Sequence, residues 1–328
     1  MREMKKRLFM ISLGLLLAFM FVLFMGCGNE KEVPPEVDEE PEEQEEIEEE
    51  EVDEDENITL KKLQPICVVI NNHSAARPQS GLQEASVVYE FLVEGGITRF
   101  LAVFDELHEE DYIIGPIRSL RPYFAHQVME HGGIVAHAGY SSRTREMISG
   151  LNLKHITSAS YLWRDSSRKA PHNLYTHIEK LQRGAGIDMD ATEEEIILEE
   201  LPEGYEEGLE IEVAYSPSNR VTYTYQQESG TYLRLVNGNP STDRESGDQY
   251  YADRVIIRET RHENVSGSSL VNVNLEGEGN GYLYENGRKY SIKWEKKAGE
   301  KTDYYFKDGT PVEMRWGTTW LQVVPLNS

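Results

Sequence analysis

Cysteine is nearly absent from this chain, which has only Cys27 and Cys67 among 328 residues. Cys67 lies within the apolar run 66–70, a context typical of a small buried core residue rather than of a nucleophile. The surroundings of Cys27, described below, predict that this residue carries a lipid. No disulfide is then available within the mature chain, so its stability must come from a hydrophobic core.

Basic side chains are also scarce, with 33 Lys and Arg against 58 Asp and Glu and a formal net charge of −25. A general nucleic-acid binder needs a basic face, so no nucleic-acid partner is expected. Many of the acidic residues lie in one segment, because residues 28–57 contain 18 acidic side chains and a single basic one, Lys31. Such a segment cannot bury enough apolar surface to fold, and its charges repel one another. We predict an acidic disordered tether that could span on the order of 60 to 100 Å.

Long hydrophobic runs are missing except at the start of the chain. Residues 8–25 are apolar and nearly free of charge, they follow four basic residues, and Gly26 then precedes Cys27. This layout predicts a bacterial lipoprotein signal peptide over residues 1–27, with Cys27 as the lipidated residue. The alternative is an uncleaved transmembrane anchor, since the run is nearly long enough to span a bilayer. Either interpretation places the rest of the chain at the outer face of the cell membrane.

The first part of the remaining chain alternates between strand and helix patterns. Residues 66–70 form a short continuous apolar strand, and the alternating segments 87–93 and 97–104 flank Gly95-Gly96 as a hairpin would. Pro122 is suited to the first turn of a helix that runs to about Glu130. We therefore predict a mixed α/β domain over residues 58–190.

The second part has little helical character. Residues 191–210 are acidic and contain Pro202 and Gly204, which predicts a linker with a short helix near 193–199. From residue 211 to 328, short runs rich in Val, Tyr, Thr and Ile alternate with turn signals, of which Asn286-Gly287 is a strong hairpin signal. The predicted fold class is thus α+β, with the mixed α/β domain followed by a β-rich domain.

A pair of arginines at the start of the predicted helix is the first candidate site. Arg118 and Arg121 lie where backbone N–H groups and the positive end of the helix dipole favour an anion such as phosphate or carboxylate. The alternative is structural: these arginines could form salt bridges with Glu90, Glu94 or Asp105. The sequence alone leaves both interpretations open.

Two further polar segments are candidates. His137 ends a predicted strand, a common position for functional loops in α/β folds, and the segment 163–173 brings Asp165 and His172 into a loop of little regular structure. The histidines lack the spacing of a zinc site, and no phosphate-binding loop or dinucleotide fingerprint occurs. No metal and no cofactor are therefore expected.

Five stretches of the chain resemble a known family, the YerB-like bacterial lipoproteins. The matching residues are 69–82, 89–100, 115–123, 137–139 and 170–175, and they occur in the family's order. The resemblance extends from about Pro65 to the end, as an N-terminal and a C-terminal domain of unknown function. It implies a lipid-anchored extracytoplasmic protein of low-GC Gram-positive bacteria, and it brings no established activity.

These observations favour a binding protein over an enzyme. In the preferred hypothesis an anionic envelope ligand, such as a wall-polymer or lipid-linked phosphate, is held by Arg118 and Arg121. The residues that would complete this pocket are Arg77, Arg99 and His172.

One alternative is an envelope hydrolase or phosphoryl-polymer transferase. Its base would be His137 or His172, and its carboxylate partner would be Glu90, Glu94 or Asp165. That alternative requires the two groups to lie within about 3 to 4 Å of each other in a concave site. A third interpretation is a protein-interaction scaffold.

Overall fold

The computed structural model describes residues 58–108, 110–196, 201–268, 270–313 and 317–326. The predicted signal peptide with Cys27 and the predicted tether over residues 28–57 lie outside the described residues. Within the described ranges, no helix is long and apolar enough to cross a membrane.

The first part of the described chain contains nine strands and three helices. The strands are β1 (Ile58–Asn71), β2 (Val87–Leu92), β3 (Thr98–Glu106), β4 (Ile113–Ile114), β5 (Ile134–Ala136), β6 (Lys154–Ile156), β7 (Trp163–Arg164), β8 (Leu174–His177) and β9 (Thr192–Ile196). The helices are α1 (Pro122–Met129), α2 (Ser142–Met147) and α3 (Ile178–Ala185). Single 3-10 turns occur at Ser74–Ala76, Leu82–Glu84 and Glu94–Gly96.

The second part of the described chain is built from strands. They are β10 (Glu206–Glu207), β11 (Glu210–Ser216), β12 (Asn219–Gln226), β13 (Thr231–Val236), β14 (Asn239–Pro240), β15 (Tyr251–Ala252), β16 (Arg254–Thr260), β17 (His262–Asn264), β18 (Val271–Val273), β19 (Gly277–Glu285), β20 (Arg288–Lys296), β21 (Asp303–Phe306) and β22 (Thr319–Pro325). The predicted fold class is confirmed: a mixed α/β part is followed by a β-rich part.

One large sheet contains strands from both parts. Its order is β10-β20-β19-β16-β22-β2-β3-β1-β5-β6, with β21 paired to β20 and β9 paired to β1. The late strand β22 lies between β2 and β16 and is parallel to both. The described residues from Ile58 onward therefore cluster as one compact unit. The division into domains over 58–190 and 211–328 stays a prediction.

The two faces of the large sheet carry separate hydrophobic clusters, because side chains alternate along each strand. One face packs Val68, Phe100 and Trp320 against α3 and a smaller sheet of order β11-β12-β13-β14, in which β15 pairs with β13. The other face packs Val69 and Leu101 against α1. Cys67 belongs to this second cluster, and burial raises the pKa of its thiol, which fits the predicted core role.

The predicted helix near residues 193–199 is wrong over its described part. Residues 192–196 instead form β9, which pairs antiparallel with the first half of β1. This register places Glu193 opposite Lys61, so opposite charges face each other across the pair. In an isolated helix the same consecutive glutamates would have no such partners. Residues 197–199 lie outside the described part of the chain.

Candidate functional site

The candidate site lies at the carboxyl end of β1, where the strand ends at Asn71 and is followed by Asn72. The parallel strands β5 and β6 end at the same edge of the sheet. Ligands of α/β sheets bind at such edges, because loops rather than strands continue there. The segment after β4 crosses this edge: the Arg118 N–H donates to Val69 O (2.8 Å), and Arg118 O accepts from the Ala138 N–H (3.0 Å). Arg118 is thereby fixed between the ends of β1 and β5.

Three arginines surround one carboxylate at this edge, and we call Arg99, Arg118, Arg121 and Glu94 the arginine cluster. The Arg121 guanidinium pairs with Glu94 Oε1 at 2.6 Å through Nε and 2.5 Å through Nη2. Arg99 donates to Ser119 O at 2.8 Å and lies 3.9 Å from Glu94 Oε2. Burial and the adjacent charge of Arg121 lower the pKa of Arg99 to about 10. The cluster thus has more positive than negative charge.

Arg118 is the arginine of the cluster that has no partner among the described residues. Within the described residues its guanidinium makes no hydrogen bond and no ion pair, and its Nε is buried. Burial, followed by the charge of Arg121, lowers the pKa of Arg118. The predicted alternative, a structural salt bridge, therefore applies to Arg121 with Glu94. Asp105 pairs instead with Lys62, at 3.4 Å.

His172 lies in the loop between β7 and β8, and the charge of Arg118 acts on it. Its Nδ1 is 2.8 Å from Asn71 Nδ2, and its ring stacks on His73 with 4.7 Å between centroids. Burial lowers the pKa of His172, and the charges of His73, Arg118 and Arg168 lower it further. Arg168 donates to Ala76 O and Pro78 O at 2.8 and 2.9 Å, which attaches this loop to the segment after β1.

Glu90 and Arg77 do not face the arginine cluster. Glu90 is completely buried and pairs with Arg234 of β13 at 2.8 Å. Arg77 uses Nε and Nη2 to donate to Asn72 Oδ1 and Asn72 O, each at 3.0 Å. Asn72 in turn donates to Glu90 Oε1 at 3.1 Å. Arg77 thus binds the backbone and side chain of Asn72, which belongs to a buried network with Glu90 beneath the end of β1. The predicted part of Arg77 in the pocket stays a prediction.

His137 and Asp165 have other partners as well. His137 is buried, its Nε2 is 2.8 Å from His155 Nδ1, and burial lowers its pKa to about 4. Asp165 accepts from the Ser167 N–H at 2.8 Å and pairs with Arg244 at 2.6 Å. The Ser167 hydrogen bonds and the Arg244 charge lower the pKa of Asp165 to about 2.

The convergence that the enzyme alternative requires is not found among the described residues. No hydrogen bond or ion pair joins either His137 or His172 to Glu90, Glu94 or Asp165. Within the same ranges, no group of three His, Cys, Asp or Glu side chains is arranged to hold a metal ion.

Comparison with known proteins then supplies the family. A family model described as "Protein of unknown function (DUF3048) N-terminal domain" matches residues 51–190, and the corresponding C-terminal model matches residues 211–321. The chain belongs to this family. It is 28% identical over 320 residues to "Putative lipoprotein YerB" of Bacillus subtilis (strain 168), covering 94% of this chain and 93% of that one.

The same relative is represented among solved structures. The crystal structure of the YerB protein from Bacillus subtilis superposes with a TM-score of 0.70 at 30% identity, covering 80% of this chain and 91% of that chain. The predicted YerB-like resemblance is therefore confirmed. The DUF3048 descriptions give no activity.

Sequence reasoning missed two residues that matter in this DUF3048 chain. Arg234 is 144 positions from Glu90, and nothing in the local pattern of β13 indicates that it pairs there. His73 is the second, and it follows a buried strand within the stretch that resembles the family. A polar residue directly after a buried strand is the signal that could have found it.

A separate cleft of about 390 Å³ lies between α1 and the β17–β18 hairpin. None of the predicted site residues lines it. The lining residues are Pro122, Tyr123, His126, Met147, Arg261, Glu263, Asn272, Val273, Asn274, Leu275, Glu276 and Lys296. Its two cations already have acidic partners, since Arg261 pairs with Glu263 at 2.8 Å and Lys296 pairs with Glu130.

Proposed function

We propose that this protein is a lipid-anchored extracytoplasmic lipoprotein that binds an anionic group of the cell envelope at the arginine cluster. The anchor rests on the apolar run over residues 8–25 that precedes Cys27 and on the similarity to a protein named as a putative lipoprotein. The ligand class rests on Arg118.

The state of Arg118 is the observation that carries the proposal. Arg118 is half-buried, and the N–H of its guanidinium that is removed from water is the one on Nε. Burying such a charged donor is costly unless an anion or hydrogen-bond acceptors replace the water. Arg99 and Arg121 have such acceptors, whereas Arg118 has none within the described residues. An oxyanion beside Arg118 would supply charge-assisted hydrogen bonds and offset the positive charge of the cluster. Phosphodiester groups of wall polymers and phosphorylated lipids offer this chemistry at the outer face of a membrane.

The test is a binding titration of the full-length chain in nanodiscs of uncharged lipid. Soluble phosphodiester fragments of wall polymer are added, and affinity is measured for the wild type, for Arg118→Ala and for the control Arg183→Ala. Arg118 is the guanidinium of the cluster that has no partner in the described part of the chain, and its loss is expected to weaken binding at least about tenfold. Arg183 is an exposed arginine on α3, and its replacement should leave the affinity unchanged. Equal affinity of the wild type and Arg118→Ala would refute the assigned site.

A further inference from the structure

Two stacked histidines, His73 and His172, form what we call the histidine pair. The segment that leads to Arg118 is joined to the segments of both rings, because the Asn71 N–H donates to Pro116 O and the Ile117 N–H donates to Leu174 O. The planes of their rings are inclined by 23°. Both are half-buried, and neither Nε2 atom makes a hydrogen bond within the described ranges or is sealed from solvent. Whether these two Nε2 atoms donate or accept depends on the position of the proton in each ring.

The proton of His172 is placed by Asn71. The Asn71 amide has a fixed orientation, because its Oδ1 accepts from the His73 N–H at 3.1 Å. Asn71 Nδ2 therefore faces His172 Nδ1, at 2.8 Å. An amide nitrogen can only donate, so Nδ1 must accept and the neutral ring must carry its proton on Nε2.

The proton of His73 is placed by the backbone. His73 caps the 3-10 turn that follows β1, and its Nδ1 accepts from the Ala75 N–H at 3.1 Å. A neutral His73 thus also carries its proton on Nε2. Each neutral ring therefore has an Nε2–H donor that no described residue accepts. Arg118, whose charge acts on His172, adds a guanidinium that can only donate.

We propose that His73, His172 and Arg118 together bind a phosphoryl group, and that Asn71 is a positioning residue that keeps the proton of His172 on Nε2. The part assigned to Arg118 rests on the proposed function, whereas the part assigned to the histidine pair does not. The histidines act here as hydrogen-bond donors and not as bases.

The donor arrangement selects the ligand. A cation is disfavoured, because protonated Nε2 atoms cannot ligate a metal and because Arg118 and Arg168 add positive charge around His172. A ligand that only donates would find no acceptor on these three groups. A phosphoryl group offers several acceptor oxygens to separate donors, which matches three donor groups on different elements. A free phosphate, a wall polymer and a lipid headgroup share this chemistry.

The experiment is a titration of the full-length chain in uncharged nanodiscs, with ¹⁵N-labelled histidine observed by NMR. The first probe is dimethyl phosphate, whose single charge does not change near neutral pH. The ¹⁵N shifts report which ring nitrogen is protonated. In the free protein His73 and His172 are expected as Nε2–H tautomers, and both Nε2 signals should shift on titration. Inorganic phosphate, glycerol-phosphate oligomers and nanodiscs with phosphatidylglycerol then distinguish the sources of the phosphoryl group.

Variants separate a donor role from a structural one. His172→Leu is expected to weaken dimethyl phosphate binding about tenfold, whereas His172→Gln, which keeps an N–H donor at the same reach, should retain most of the affinity. Asn71→Asp provides an acceptor for Nδ1–H, so the ¹⁵N shifts should show protonation at Nδ1, and binding should weaken as pH rises and Nε2 loses its proton. The dispersed amide spectrum of each variant verifies its fold.

The outcomes also separate this inference from the proposed function. A protonated Nδ1 in free wild-type His172, or Nε2 signals that do not move while dimethyl phosphate binds, would overturn the role of the histidine pair. If Arg118→Ala still weakens binding in that case, the proposed function stands. If the Nε2 signals shift equally in the wild type and in Arg118→Ala, the histidine pair stands and the role of Arg118 fails.

Discussion

At the scale of single residues, the charged side chains of this protein have roles that depend on partners far away in the chain. Arg118 and Arg121 are three positions apart, yet Arg121 pairs with Glu94 whereas Arg118 has no described partner. Glu90 was a candidate carboxylate partner for a histidine base, but it lies in the core and pairs with Arg234. Local sequence predicts where such residues lie along an element, but it does not show which oppositely charged residue faces them.

The buried pair of Glu90 and Arg234 allows a prediction about stability. Arg234→Met should lower the free energy of unfolding by about 3–5 kcal/mol, because it leaves a carboxylate in the core without its cation. Urea denaturation of the wild type and the variant measures this difference. Both side chains have no exposed surface, so solvent cannot replace the lost partner.

The exposed pair of Arg220 and Glu212 is the matched control. These side chains lie 2.5 Å apart but are about half exposed, and Arg220→Ala should change stability by less than about 1 kcal/mol. If Arg220→Ala and Arg234→Met lowered the free energy of unfolding by similar amounts, burial would not determine how much an ion pair contributes to stability. The double change Glu90→Leu with Arg234→Met should recover part of the stability, since no unpaired charge remains.

At the scale of elements, hairpins were predicted well and the acidic segment was predicted badly. The β2–β3 hairpin and the β19–β20 hairpin both occur where turn residues separate alternating runs. Their partners are adjacent in sequence, so the pattern contains the whole pairing. β9 pairs instead with β1, more than 120 residues earlier, and its sequence contains no trace of that partner.

The turn at Asn286-Gly287 gives an element-scale prediction. Both residues have positive φ, 53° and 71°, as a two-residue hairpin turn requires. A Cβ on Gly287 would also lie 2.9 Å from the Tyr225 ring. Gly287→Ala should therefore combine the cost of the left-handed conformation, about 1 kcal/mol, with a crowding cost of about 1–3 kcal/mol.

Gly267 separates the conformational cost from the crowding cost, because its φ is also 71° and a Cβ there would meet nothing within 4 Å. Gly267→Ala should show only the conformational cost in thermal or urea unfolding. If the two alanine variants are destabilised equally, crowding against Tyr225 has no energetic effect and this explanation of Gly287 is wrong.

At the scale of the whole molecule, the order of strands in the large sheet could not be predicted from the sequence. The candidate site was partly predictable, since polar residues follow buried strands at one sheet edge. The position of β22 could not be predicted from the sequence. A central parallel strand appears in a sequence only as an apolar run. In addition, its neighbours β2 and β16 come more than 50 residues earlier in the chain. The two parts of the chain therefore depend on each other more than their separate patterns suggest.

The position of β22 predicts how the protein unfolds. A chain that ends at residue 316 lacks β22, so the edges of β2 and β16 lose their hydrogen-bond partners in the middle of the sheet, where water is excluded. Amides of β2 and β3 should then lose their protection from hydrogen exchange, although both strands belong to the first part of the chain. A chain that ends at residue 325 keeps β22 and serves as the control, with protection like that of the full chain. Persistent protection of β2 amides in the shorter chain would mean that the first part folds without β22, whereas a joint loss in both parts would show that they unfold as one cooperative unit.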